Sequence, residues 1–164
     1  MVRLVASLGT SPGGIAESFS YIANTYKTVP SEVVLICTSS PKVDRAYSAL
    51  LEVFSKCVKP RFGTVSIERV NISSEDIYSS EDLWELMEKV KGKIGKGDFV
   101  DVTGGRKVMS IALALVAIRA GARVITTVIP QDEYIRVQAL LEKGYSDPCE
   151  LLSKQSRTIE LYLE

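Results

Sequence analysis

The stretch FVDVTGGRKVMSIALALVAIRAGARVITTVI, residues 99–129, holds a complete strand–helix–strand unit. Phe99 to Thr103 is a short β-rich apolar run that reads as a strand, and Gly104-Gly105 breaks it. Arg106 to Ala120 has the length and composition of a helix, and Gly121 stands where glycine commonly ends one. Ala122 to Ile129 is a second apolar strand, stopped by Pro130. Two buried strands joined by a helix lie parallel, with a right-handed crossover.

The same grammar extends outward. Upstream, Arg3 to Ser7 reads as a strand, Leu8 to Gly14 as a loop, and the segment to about Tyr26 as a helix. Glu32 to Cys37 is a strand that opens into Thr38, Ser39 and Ser40, and Pro41 suits the first turn of a helix running to about Ser55. Thr64 to Val70 alternates like a third strand. A helix begins at Ser80, with Glu81 and Asp82 in its first turn, and runs to about Ile94. Lys96-Gly97-Asp98 then turns into the strand at Phe99. Downstream, Glu133 to Lys143 has a helical period and Arg157 to Leu163 alternates like an edge strand.

Alternating strands and helices with apolar strands predict an α/β fold with a doubly wound, mainly parallel, Rossmann-like sheet. Its expected core order is 3-2-1-4-5. Residues 1–164 read as one domain, a core of 1–130 with a C-terminal extension of 131–164. No repeat or linker divides it. Ligands of such sheets bind beyond the strand C-termini at the topological switch point, here between the first and fourth strands. Both glycine-rich loops of the chain follow those two strands.

Composition narrows the chemistry. Lys plus Arg and Asp plus Glu are equal at 20 each, which gives no global basic field for duplex DNA or a membrane surface. The apolar run Ile111 to Ile118 is too short to span a bilayer, which needs ~20 residues. The expected location is the cytoplasm, and Cys37, Cys57 and Cys149 read as reduced, mostly structural thiols. There is no histidine, which rules out histidine-dependent triads and dyads and the usual zinc sites. Asn and Gln total only five, a mark of heat adaptation.

In the first loop, Gly9, Thr10, Ser11, Pro12, Gly13 and Gly14 combine small residues, hydroxyls and N–H groups at a helix start, a set suited to phosphate. The loop does not match GxGxxG, and no acidic ribose partner follows the second strand, which disfavours a dinucleotide enzyme. In the other loop, Thr103, Gly104 and Gly105 lead into Arg106 and Lys107, two cations at the positive end of a helix. A bound anion would relieve that conflict, whereas the ordinary alternative is that both side chains reach solvent. Thr38, Ser39 and Gln131 end or follow neighbouring strands and complete the expected ligand set. Asp101 is expected to accept backbone N–H bonds in the Gly-Gly turn. Trp84, with Leu83, Leu86 and Met87, reads as the core face of its helix, and Glu88, Lys89, Lys91 and Lys93 as a solvated face. The helix Val108 to Ala120 is apolar nearly all round, so beyond the sheet it faces either a second subunit or the C-terminal segment.

SLGTSP after the first strand and DxTGGxK after the fourth resemble the loops of CARF domains, the CRISPR-associated Rossmann folds of type III systems. The resemblance covers residues 1–130. It implies a homodimer that binds cyclic oligoadenylate across its interface. Most such proteins carry an effector domain after the sensor, often a nuclease with a histidine motif, and this chain has neither. It therefore resembles most the stand-alone CARF ring nucleases, in which the loop serine and lysine matching Ser11 and Lys107 are implicated in cleavage.

That resemblance implies a reaction needing neither cofactor nor metal. At one linkage per protomer a ribose 2′-OH would attack its neighbouring phosphate in line, leaving linear products that end in 2′,3′-cyclic phosphate. A two-fold dimer suits cyclic tetra-adenylate. Two other readings stay open: a sensor or sponge that binds the ring without cleaving it, and a Rossmann-like enzyme acting on a mononucleotide or phosphorylated metabolite.

Overall fold

A computed structural model of the chain describes residues 1–161. In chain order the strands are β1 (Arg3–Leu8), β2 (Glu32–Cys37), β3 (Ser66–Asn71), β4 (Phe99–Asp101), β5 (Arg123–Val128) and β6 (Arg157–Leu161). The helices are α1 (Ile15–Tyr26), α2 (Pro41–Val53), α3 (Lys59–Phe62), α4 (Ser80–Val90), α5 (Lys107–Ala120) and α6 (Gln131–Lys143). The sheet order is β3-β2-β1-β4-β5-β6, parallel from β3 through β5, with β6 antiparallel on the outer edge of β5. The expected core order and the edge strand both hold. The last residues of that expected strand, Tyr162 and Leu163, lie outside the described residues.

Strands buried on both faces explain the uninterrupted apolar runs. On one face Leu4, Ala6, Val33, Leu35 and Ile125 pack beneath α1 and α2. Val137 and Leu141 of α6 join this cluster. On the other face Val5, Val34, Ile36, Val100 and Val124 pack beneath α4 and α5. The C-terminal segment therefore covers the face opposite α5, and α5 keeps an outer side with Val108, Ile111, Leu115 and Ile118 between 44% and 55% exposed. Among the described residues no helix is long and apolar enough to cross a membrane.

Two expectations are corrected. Cys57 and Cys149 are not free thiols but a disulfide, with Cα atoms 5.7 Å apart across a sequence separation of 92. The helix begun at Pro41 does not stop near Ser55. It continues through a wider π-type turn, Phe54–Val58, into α3. That turn contacts the 3₁₀ turn Pro148–Leu151, which carries Cys149. Cys37 is free and buried, as expected.

Trp84 is 74% exposed rather than part of the core. The core stripe of α4 is centred on Leu86 and Val90, with Leu83 and Met87 packed beside it. Trp84 shares the outer side with Glu81 and Glu88, three and four residues away.

Candidate functional site at the switch point

Parallel pairing sets Leu4 beside Phe99 and Ala6 beside Asp101, so the loops after β1 and β4, loop 1 and loop 4, open side by side. They touch through glycine backbone. A Cβ on Gly9 would lie 3.0 Å from the Gly105 nitrogen, and one on Gly104 would lie 2.6 Å from the Ser7 carbonyl oxygen. The Gly104 carbonyl accepts from Ser7 Oγ and, at 3.2 Å, from Ser110 Oγ in the first turn of α5. Gly105 has φ 79°, a conformation that side chains disfavour.

This ridge separates two clefts at the C-terminal end of the sheet. The larger encloses about 380 Å³, and Gly9, Thr10, Ser11, Gly13, Thr103, Gly104 and Gly105 of the expected set line it. The smaller, of about 270 Å³, takes in Thr38 and Arg106 beside Glu75. Pro12, Gly14, Ser39, Lys107 and Gln131 line neither cleft. Pro12 and Gly14 are buried behind the loop, while Ser39, Lys107 and Gln131 are exposed. Ser39 spends its N–H on the Ser74 carbonyl at 2.9 Å. Lys107 is the first residue of α5 and takes part in no ion pair among the described residues.

Sequence reasoning missed the opposite wall of the larger cleft, formed by Thr127, Val128, Ile129 and Tyr134. Its signal was present. Strand 5 neighbours strand 4 in the expected order, so its end and the first turn of the following helix fall at the same edge.

The N–H groups at the start of α1 are less available to an anion than expected. Gly13 N–H donates to Ser11 Oγ at 3.2 Å, and Gly14 N–H donates to Glu17 Oε2 at 2.7 Å. Beneath the loops, Asp101 Oδ1 accepts from Thr103 N–H at 2.8 Å and from the Thr103 hydroxyl. The same hydroxyl oxygen accepts from Thr127 N–H at 2.6 Å, which joins loop 4 to β5. Asp101 thus organises the turn as expected, while its buried Oδ2 has no partner. Burial pushes the carboxyl pKa of Asp101 up, and does the same to Glu17, on which the Asp101 charge also acts.

At the start of α5 the electrostatics point the other way. No acid lies in its first turn, so Lys107 and Arg106 meet the positive end of the helix without local relief. Arg106 finds a distant partner instead, with its Nε 3.4 Å from Asp76 Oδ2, the arginine exposed and the aspartate mostly covered. Among the described residues no group of three His, Cys, Asp or Glu side chains could hold a metal ion.

The model of the family described as CRISPR-associated protein NE0113 matches residues 15–122. The CRISPR system ring nuclease SSO2081 of Saccharolobus solfataricus (strain ATCC 35092 / DSM 1617 / JCM 11322 / P2) is 43% identical over 137 residues, which is 84% of this chain and 76% of that one. The chain belongs to the CRISPR-associated NE0113 family.

Solved structures of larger proteins share the NE0113-family fold. Can2 of Sulfobacillus thermosulfidooxidans, in complex with cyclic tetra-adenylate, superposes with a TM-score of 0.53 at 14% identity, over 77% of this chain and 32% of its own. Enterococcus italicus Csm6, bound to cyclic hexa-2′-fluoro-hexa-dAMP, gives 0.59 at 19% identity, over 99% of this chain and 42% of its own. At these identities the likeness establishes the fold. The NE0113-family chain spans less than half the length of either.

Proposed function

We propose that this chain is a ring nuclease that binds cyclic oligoadenylate and opens it, switching off the type III CRISPR signal. The reading is carried by one observation: loops 1 and 4 meet glycine to glycine at the switch point and leave an open cleft with Ser11 on its wall. The relative at 43% identity, itself named a ring nuclease, supports it.

The chemistry follows from the substrate. A ribose 2′-oxygen attacks the adjacent phosphorus, the bond from phosphorus to the 5′-oxygen breaks, and the proton lost from the 2′-hydroxyl is balanced by one gained at the leaving oxygen. Ser11 hydrogen-bonds the 2′-hydroxyl or a phosphate oxygen and fixes the in-line geometry. Lys107, two residues beyond the lining residue Gly105, carries a flexible cationic side chain that stabilises the charge gathering on phosphorus. No metal enters the step, and the products end in 2′,3′-cyclic phosphate. With no histidine to act as base, turnover is slow.

The outer side of α5 supports a homodimer. Val108, Ile111, Leu115 and Ile118 follow a helical stripe that nothing in this chain covers among the described residues. The stripe starts at the same helix end as Lys107, so a two-fold axis along it brings two sites together around one ring, and cyclic tetra-adenylate matches that symmetry. The setting is the cytoplasm. An intracellular disulfide there fits heat adaptation, as does the scarcity of Asn and Gln.

Ser11→Ala and Lys107→Ala proteins test the assignment by their cleavage of cyclic tetra-adenylate. Each is expected to bind the ring and to cleave it at least about a hundredfold more slowly than wild type. Wild-type rates in both would overturn the assigned roles. Binding without cleavage by the wild type would make the protein a sensor or sponge.

A further inference from the structure

Glu17 stands between the loop that carries Ser11 and the C-terminal segment, whose helix α6 contributes Tyr134 to the far wall of the cleft. From the first turn of α1, its Oε2 accepts Gly14 N–H at 2.7 Å and its Oε1 accepts Ser153 N–H at 3.2 Å. Ser153 is buried, and its Oγ donates to Glu133 Oε1 at 3.0 Å. Glu133 is held by Arg136, whose guanidinium also donates to the Leu152 carbonyl at 2.9 Å. A second tie runs from Gln138 Nε2 of α6 to the Thr10 carbonyl at 3.3 Å. Two segments distant in sequence thus converge on one carboxylate, and Ser11 and Tyr134, one from each segment, face the same cleft.

We infer that Glu17 is a positioning residue, which sets where loop 1 holds Ser11 against the wall carried by α6. The inference rests on the ring-nuclease reading, because the placement of Ser11 is consequential only there. Glu17 does not touch the cleft itself. Its function requires two acceptors, because both of its partners are N–H donors. A carboxylate supplies them, whereas an amide of the same shape offers one acceptor and one donor. Glu17→Gln therefore sets one N–H against another at Gly14 or at Ser153 while keeping the volume of the side chain. Misplacing a reacting group by about an ångström costs up to ~100-fold in rate without removing the contacts that bind substrate.

The test follows Glu17→Gln with cyclic tetra-adenylate in three readouts: dissociation constant, single-turnover cleavage rate and melting temperature. Cleavage is expected to slow by about tenfold or more, with the dissociation constant changed by less than about threefold. In a Ser11→Ala background the same substitution is expected to slow residual cleavage by less than about threefold, since it acts through Ser11. Hydrogen exchange on the unliganded wild type serves as an independent measure, with the Gly14 and Ser153 amides both protected. Wild-type cleavage by Glu17→Gln, equal slowing with and without Ser11, or fast exchange at both amides would overturn the role. If Ser11→Ala abolishes cleavage while Glu17→Gln does not slow it, this inference fails alone. A wild type that leaves the ring intact overturns it together with the ring-nuclease reading.

Discussion

Gly104 lies against Gly9 so closely that a Cβ on Gly104 would sit 2.9 Å from the Gly9 nitrogen. The contact joins the two loops that end β1 and β4, and both clefts open from it. Because the obstruction is backbone on both sides, no side chain can swing away to make room. Gly104→Ala should therefore destabilise the fold by about 1–3 kcal/mol. It should also part the loops and slow ring cleavage by more than about tenfold. Urea unfolding and a cleavage time course check the two effects, and an alanine variant matching wild type in both would contradict the close approach.

Much of this arrangement was legible beforehand. The apolar strands announce a sheet covered on both faces, and the loops after strands 1 and 4 locate the switch point, so Ser11, Thr103 and the glycines of the cleft could be named. The far wall at Thr127 to Ile129 and Tyr134 was within reach of the same logic, because strand 5 neighbours strand 4 in the expected order and ends at the same edge. Glu17 was not legible. A carboxylate in the first turn of a helix reads as a favourable end charge, and its second partner, Ser153, is 136 residues away. The disulfide joins residues 92 apart. Trp84 misled because a large apolar side chain outweighed the helical register that sets it beside Glu81 and Glu88.

The Cys57–Cys149 bridge fastens the C-terminal extension to the π-type turn that follows α2. Closing a loop of that length restricts the unfolded chain by about 4.6 kcal/mol on the chain-entropy account. Dithiothreitol should lower the urea midpoint of the wild type substantially, while Cys57→Ser should start at the lower value and ignore the reductant. Equal midpoints for oxidised and reduced wild type would contradict a stabilising bridge.

Burial raises the Asp101 carboxyl from its ordinary value of 3.8 and that of Glu17 from 4.5. The folded protein then keeps these protons to higher pH than the unfolded chain does. Each group contributes stability that is fully present below its unfolded pKa and is lost as pH rises through its folded pKa. Asp101→Asn is neutral throughout, so its stability relative to wild type should improve over the range of pH above the ordinary carboxyl value of 3.8. Urea midpoints of the two proteins across that range read the slope directly. A relative stability that worsens with rising pH would contradict the raised carboxyl.

The stripe on α5 makes a separate prediction. Leu115 is 55% exposed, so a charge there costs the isolated subunit little, but at the centre of the proposed dimer interface it would be left desolvated and unpaired. Leu115→Glu should run as a monomer in sedimentation or sizing experiments, keep its melting transition and lose most of its affinity for cyclic tetra-adenylate. A variant that remains dimeric would move the interface elsewhere.

The most direct test of the central claim is to incubate the purified protein with cyclic tetra-adenylate in excess EDTA and identify the products by mass spectrometry. The account predicts loss of the ring and the appearance of linear adenylates ending in 2′,3′-cyclic phosphate. An intact ring, or cleavage that appears only when a divalent metal is restored, would contradict it.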